Sequence, residues 1–295
     1  MGEIVSLSSS APLGGRRLQL PVAGSADRIK DLMNKRTFLK TSVAVAAGGT
    51  MPLDEAASAA ERDPARAEYF ELRTWSLKPE KVGLLNGYLS NALIPAVGRL
   101  GGGPVGVFSE NGQPGEVLVH TLLVHSSADQ CASLPARLAD DAAYRKDAQE
   151  YLDATAADPV YARIESSLLR GISGMPKLAR PDASQPRLFN LRIYESHNER
   201  AAAKKLEMFN TAEMAIFRRV GLTPVFFGEA ILGSRLPNLT YMLVFSGEDA
   251  RKAAWDQFRA DPEWVKLKAI PEYADKEIVS KITNKLLTPA AFSQI

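Results

Sequence analysis

The chain has 295 residues, 45% of them hydrophobic and 24% charged, the composition of an ordinary globular protein with room for about two domains. Lysine plus arginine at 36 nearly balance aspartate plus glutamate at 34, and no dense basic stripe stands out, which excludes an electrostatic nucleic-acid binder. Cys131 is the single cysteine, so an intrachain disulfide and a cysteine-rich metal cage are excluded, and no run of about 20 apolar residues is present to form a spanning helix.

Residues 1–66 read as a disordered amino-terminal region that contains an export-like segment, 33–60. There Lys35, Arg36 and Lys40 precede a weakly apolar stretch from Ser42 to Leu53, and Ala57-Ser58-Ala59 would suit a peptidase that needs small side chains. The run Lys35-Arg36-Thr37-Phe38-Leu39-Lys40 resembles the bacterial twin-arginine signal, with Lys35 in place of the first arginine. The expectation is export to the periplasm or cell envelope, with Met33 as the start. The alternative is a basic tail on a cytoplasmic protein.

From Tyr69 onward the chain repeats itself at an offset of about 120 residues. FELRTW at 70–75 matches FNLRIY at 189–194, and TLLVHSSAD from Thr121 matches YMLVFSGED from Tyr241. The same spacing pairs Arg99 with Arg219, Gly101 with Gly221, Asp141 with Asp261, and Tyr144 with Trp264. Each half opens with a strand, Tyr69 to Trp75 and Leu188 to Tyr194. A helix follows over about 79–100 and 199–220, where Val82, Leu85, Leu89, Ala92 and Ala96 recur at helical spacing. Gly101 and Gly221 sit where a helix ends, and a second strand follows Pro104 and Pro224. A third strand covers 117–125 and 239–245, and Ser127 and Ser246 are placed to cap a second helix. Mixed β-branched and leucine runs at 164–169 and 278–287 predict a fourth strand.

This order, β-α-β-β-α-β, predicts an α+β protein of two tandem ferredoxin-like domains, 67–170 and 188–295, joined by the Gly-, Pro- and Ser-rich linker 171–187. Alternation places Phe189, Leu191 and Ile193 on one face of their strand and Asn190, Arg192 and Tyr194 on the other, with Phe70, Leu72 and Thr74 set against Glu71, Arg73 and Trp75. The apolar set is expected to meet the helices. The arginine–aromatic set is then expected to line the space between two sheets packed together, as in a dimer made within one chain.

The opening FELRTW, and the stretch FRADPEWVKLK from Phe258, resemble NIPSNAP domains. The second half is the better match, because Asp141-Ala142-Ala143-Tyr144 replaces Asp261-Pro262-Glu263-Trp264 in the first. The resemblance implies a dimeric α/β-barrel fold made from tandem domains. It implies no established reaction, since relatives of that fold include monooxygenases, haem enzymes and proteins without known chemistry.

The residues themselves offer little catalysis. His120 and His125 lie an odd number of positions apart on one strand, so they face opposite sides and cannot share a metal; each reads as a satisfied core or rim residue. His197 reads as an exposed turn residue. Cys131 has no histidine at helical spacing and reads as small and buried. No Gly-x-Ser-x-Gly elbow occurs, and Gly101-Gly102-Gly103 lacks the Lys-Ser/Thr sequel of a phosphate loop. No metal and no cofactor are expected, and catalytic residues are not assigned. The candidate ligand set is Glu71, Arg73, Trp75, Asn190, Arg192 and Tyr194, whose guanidinium groups could hold an acidic or carbonyl-bearing molecule; the structural reading, in which Arg73 pairs with Glu71 or a neighbouring strand's acid and the aromatics pack the sheet interface, weighs more. Three functions stay open: small-molecule binding between the sheets, a non-catalytic envelope module for assembly or partner binding, and a cofactor-independent monooxygenase-like enzyme. The expected partners are a small molecule and, if sheet faces are left uncovered, further copies of the chain.

Overall fold

A computed structural model describes residues 67–110 and 115–295; the export-like segment 33–60 and the rest of the 1–66 region lie outside the described residues. The first half runs β1 (Tyr69–Leu77), α1 (Val82–Tyr88), α2 (Ile94–Arg99), β2 (Val105–Glu110), β3 (Val117–His125), α3 (Ala128–Asp140), α4 (Ala142–Asp147), α5 (Gln149–Leu152) and β4 (Arg163–Gly171). The second runs β5 (Leu188–Glu195), α6 (Glu199–Met208), α7 (Met214–Arg219), β6 (Thr223–Leu232), β7 (Asn238–Phe245), α8 (Glu248–Ala260), α9 (Pro262–Lys268), α10 (Asp275–Ile278) and β8 (Lys281–Pro289).

All eight strands pair antiparallel in the closed order β1-β3-β2-β8-β5-β7-β6-β4. Two seams join the halves: β4 to β6, with Gly171 opposite Gly228, and β2 to β8, with Ser109 opposite Thr288. The sequence predicts two separate ferredoxin-like domains with their sheets packed face to face. The seams overturn that expectation, because one barrel closes on itself and the described residues form no independent second sheet. Edge strands carry unpaired N–H and C=O groups, and pairing them across the halves removes every edge at once.

Closure also reverses the expected sidedness. Phe70, Leu72, Phe189 and Leu191 pack with Phe108, Leu122, Met242 and Leu287 in the barrel interior, where Ile295 is also fully buried. The other face of the same strands lies under the helices. Trp75, Leu77 and Leu123 pack with Leu85, Leu89 and Val97 in the first half, and Tyr194, Tyr241 and Leu243 pack with Phe209, Phe217 and Trp255 in the second. Both faces of these strands are covered, so period-2 alternation tells which residues share a face but not which face is the lumen. The lumen takes the aliphatic and phenyl set over much of its length, while the helix layer holds the arginine–aromatic set.

Local signals act largely as their chemistry dictates. Ser127 Oγ accepts from Gln130 N at the start of α3, and Asp261 accepts from Glu263 N and Trp264 N at the start of α9. Ser246 does not cap α8; Gly247 occupies that position with no side-chain bond. Gly101 and Gly221 adopt φ +74° and +81° directly after the first long helix of each half, the left-handed backbone that glycine adopts without strain. Each of those helices contains a π turn, Leu89–Leu93 and Phe209–Glu213, 120 positions apart. Among the described residues, no helix is long and apolar enough to cross a membrane.

Candidate functional site

The interior is not filled along its whole length. At the end of the barrel where β1 and β5 finish, polar residues replace apolar ones on the lumen face, and a cavity of about 510 Å³ opens. Its wall includes Leu72 and Thr74 of β1, His120 of β3, Leu191 and Ile193 of β5, and Lys285 of β8. That volume suits a small-molecule ligand.

Strand register assembles a chain of polar groups there. Thr74 lies directly opposite His120, which in turn lies opposite Phe108, two residues before Glu110. Thr74 Oγ1 is 3.0 Å from His120 Nδ1, His120 Nε2 is 3.2 Å from Glu110 Oε2, and Lys285 Nζ donates to the same carboxylate at 2.5 Å. Hydrogen bonds from His120 and Lys285 outweigh burial and hold the Glu110 carboxyl at about 2. Burial above all keeps His120 below its ordinary imidazole value, so the ring is neutral at pH 7. An ionised Glu110 can only accept, which places the ring proton on Nε2 and leaves Nδ1 to accept from the Thr74 hydroxyl. A hydroxyl facing a cavity, a neutral imidazole and a carboxylate behind it form the geometry by which a base is oriented and its conjugate acid stabilised. Beside it, Arg235 lines the cavity at φ 63°. A non-glycine residue in that region is strained, and such residues concentrate at functional positions.

The six residues singled out in the sequence fall elsewhere, and in two groups. β1 and β5 stand four strands apart in the ring of eight, so Arg73 and Arg192 face outward on opposite sides of the barrel. They cannot hold one ligand between them, which corrects the expected shared space. In the first half, Arg73 Nε and Nη2 donate to Glu71 at 2.6 and 3.0 Å. Glu71 also meets Ser166 Oγ at 3.1 Å, His125 Nε2 at 3.4 Å and Cys131 Sγ at 3.6 Å. Trp75 Nε1 donates to Thr121, and its ring packs edge-on against Tyr88, Tyr151 and Tyr161. The ligand atoms of Glu71, His125 and Cys131 lie within 4.8 Å of one another, which is compact enough for a metal ion. The chemistry of the set fits one poorly: Arg73 already engages both carboxylate oxygens, and burial together with Glu71 pushes the Cys131 thiol up to about 12. Cys131 is half-buried rather than buried, and the partner histidine comes from β3, out of reach of any helical-spacing rule.

In the second half, Arg192 donates to Tyr194 Oη at 3.1 Å and to Asn284 Oδ1 at 3.2 Å, and stacks over the Trp255 ring with its Cζ 4.5 Å from the centroid. Tyr241 donates to Tyr194 at 2.9 Å. Asn190 points its amide at Asn284 and the Lys285 carbonyl. His197 is exposed. Reading the sequence missed Thr74, Glu110, His120 and Lys285 as a group. The available signal was polarity on an otherwise apolar face: Thr74 shares its face with Phe70 and Leu72, and His120 with Leu122 and Val124.

Comparison with solved structures finds a likeness in fold that spans most of the chain. A candidate monooxygenase from Fusobacterium nucleatum superposes with a TM-score of 0.50 at 6% identity, covering 76% of this chain and 92% of that one. An uncharacterised NIPSNAP-like domain protein from Burkholderia xenovorans is 20% identical over 36% of this chain and 88% of its own, with a TM-score of 0.33. A NIPSNAP family protein of unknown function from Agrobacterium tumefaciens gives 20%, 39%, 97% and 0.33 for the same measures. No curated protein matches the sequence. The NIPSNAP family model matches residues 189–294. That segment is a NIPSNAP-family domain, and its half of the chain, with strands β5 to β8, builds half of the barrel wall.

Proposed function

We propose that this protein is an enzyme that binds a small acidic, carbonyl-bearing molecule in the barrel mouth and moves a proton on it through Thr74 and His120. The observation that carries the reading is the cavity of about 510 Å³ with Thr74 and His120 in its wall and Glu110 bonded to His120 behind them. Rim cations Arg163 and Arg235 can receive the acid group, and Lys285 stands beside the relay to favour negative charge on an enolate. Thr74 accepts the proton from the carbon next to the carbonyl while its own passes to His120, and Glu110 steadies the resulting imidazolium.

The candidate monooxygenase from Fusobacterium nucleatum, similar in fold, motivates a second reading. An enolate formed without a cofactor can react with O2, so that a CH2 group becomes C=O and one water leaves. The export-like segment 33–60 supports an envelope setting for either activity, and the repeated FELRTW and FNLRIY strands support a common origin for 67–170 and 188–295.

The test is deuterium wash-in from D2O at the carbon beside the carbonyl, followed by NMR over a panel of aliphatic and aromatic oxo acids, with dissolved oxygen recorded in parallel. Wild type is expected to exchange at least one member of the panel. Thr74→Val and His120→Ala are expected to lower that rate by about 10²–10⁴-fold, the usual contribution of a positioned acid–base group. Oxygen uptake coupled to exchange selects the monooxygenase reading. No exchange across the panel would instead support a non-catalytic binding or assembly module.

A further inference from the structure

The register of the two halves gives an internal control for the helix-covered arginines. Across from Arg73 on β4 stands Ser166, and across from Arg192 on β8 stands Asn284. By the same register Asn190 occupies the place of Glu71, and Phe245 that of His125. The repeat offset puts Arg251 where the first half has Cys131. The first half therefore carries its own carboxylate on the guanidinium, held side-on through Nε and Nη2. The second half keeps the guanidinium, loses the carboxylate, and adds Arg251, which pairs with Glu248.

The loss leaves unmet hydrogen-bonding demand. Arg192 Nε and Trp255 Nε1 are buried donors without an acceptor, and Asn190 Oδ1 is a buried acceptor without a donor. Asn190 is 0% exposed and Trp255 8%. Unsatisfied buried groups are rare in native proteins, and each marks either a functional vacancy or an ordered water. Arg192 is half-buried and the neighbouring Asn284 is exposed, so the position lies close beneath the outer surface, while the three unmatched atoms themselves are covered.

We infer that the second half binds a small hydroxycarboxylate on its outer wall, separate from the barrel mouth. The ligand carboxylate takes the place held in the first half by Glu71, accepting from Arg192 Nε and Trp255 Nε1, and its hydroxyl donates to Asn190 Oδ1. Arg192 stacked on Trp255 and bonded to Tyr194 is already fixed in orientation, so little side-chain freedom is lost on binding. The proposal rests on a different surface from the barrel-mouth reading, and either can fail alone.

The test uses the full chain and glycolate, with acetate as the probe that lacks the hydroxyl, followed by the indole N–H resonance of Trp255, one of three tryptophans. Glycolate is expected to shift that resonance and to bind about tenfold more tightly than acetate, the effect of one added hydrogen bond. Arg192→Gln is expected to abolish the shift. Asn190→Glu, which rebuilds the first-half pair and supplies its own carboxylate, is expected to block binding while raising the melting temperature; it keeps the test decisive if Arg192→Gln folds poorly. No shift with glycolate, equal affinity for acetate, or undiminished binding in Asn190→Glu would overturn the inference in favour of an ordered water.

Discussion

Lys205→Met is expected to destabilise the chain by about 3–5 kcal/mol, the usual consequence of stranding one partner of a buried ion pair. Lys205 Nζ lies 3.1 Å from Glu213 Oε2, and each side chain is 2% exposed. The ammonium also sits over the rings of Phe209, Tyr194 and Trp264, so the three aromatic faces help to solvate it. Burial pushes the Glu213 carboxyl upward, and Lys205 is the main group that opposes this. Without Lys205, the acid must either hold an uncompensated charge or take up a proton.

The first half offers an apolar counterpart of this pair. At the same offset of 120 the first half has Leu85 and Leu93, both 0% exposed in its helix-layer core. The double variant Lys205→Leu/Glu213→Leu is therefore expected to recover most of the loss, because a well-packed hydrophobic replacement of a buried ion pair is often neutral or stabilising. Urea denaturation of Lys205→Leu, Glu213→Leu and the double variant completes the cycle. A Lys205→Met loss below about 1 kcal/mol would show that the pair is not buried as described.

The second large effect concerns Glu71. Burial works against its ionisation, but hydrogen bonds from His125 and Arg73, and the charge of Arg73, prevail and hold the carboxyl at about 2 against an ordinary 4.5. A carboxylate depressed in the folded state contributes stability above its unfolded value and loses it as pH falls through the folded one. That contribution, of order 3 kcal/mol at neutral pH, is thus expected to fade between pH 4.5 and about 2. Glu71→Gln keeps the shape but leaves Arg73, 16% exposed at its side chain, without a counter-charge. It is expected to cost about 2–4 kcal/mol at pH 7 and to flatten the acid limb of the stability–pH curve. Denaturation midpoints of both proteins across that range are the check. Parallel acid limbs in wild type and variant would sink the assignment.

These two networks, one per half, also show how far the sequence could be read. The matching element order of the two halves was legible because register-setting residues recur: Gly101 and Gly221 both follow a helix end at positive φ, Arg99 pairs with Asp141, which caps α4, and Arg219 pairs with Asp261, which caps α9. The alternation in FELRTW and FNLRIY correctly separated Phe70 and Leu72 from Arg73 and Trp75 as opposite faces. It could not say which face was the lumen, since strands covered on both sides carry bulky residues on both. Barrel closure was hidden too, because the seams β4–β6 and β2–β8 join residues more than 50 and 170 positions apart and leave no local pattern. The mouth site was illegible for the same reason. Thr74, Glu110, His120 and Lys285 come from four strands, and Lys285 reaches Glu110 only across the second seam. Where the halves differ, as with Glu71 and Asn190, the sequence showed the substitution but not the hydrogen bonds it removed.

The proposed chemistry turns on a neutral imidazole poised between a hydroxyl and an anion at the barrel mouth. Nitrogen-15 NMR of the ring of His120, one of three histidines, measures this directly. The expected result is a neutral ring at pH 7 with its proton on Nε2, titrating below the ordinary value of 6.5, and with an Nδ1 resonance that moves in Thr74→Val. A ring that is cationic at pH 7, or protonated on Nδ1, or indifferent to the loss of the threonine hydroxyl, would contradict it.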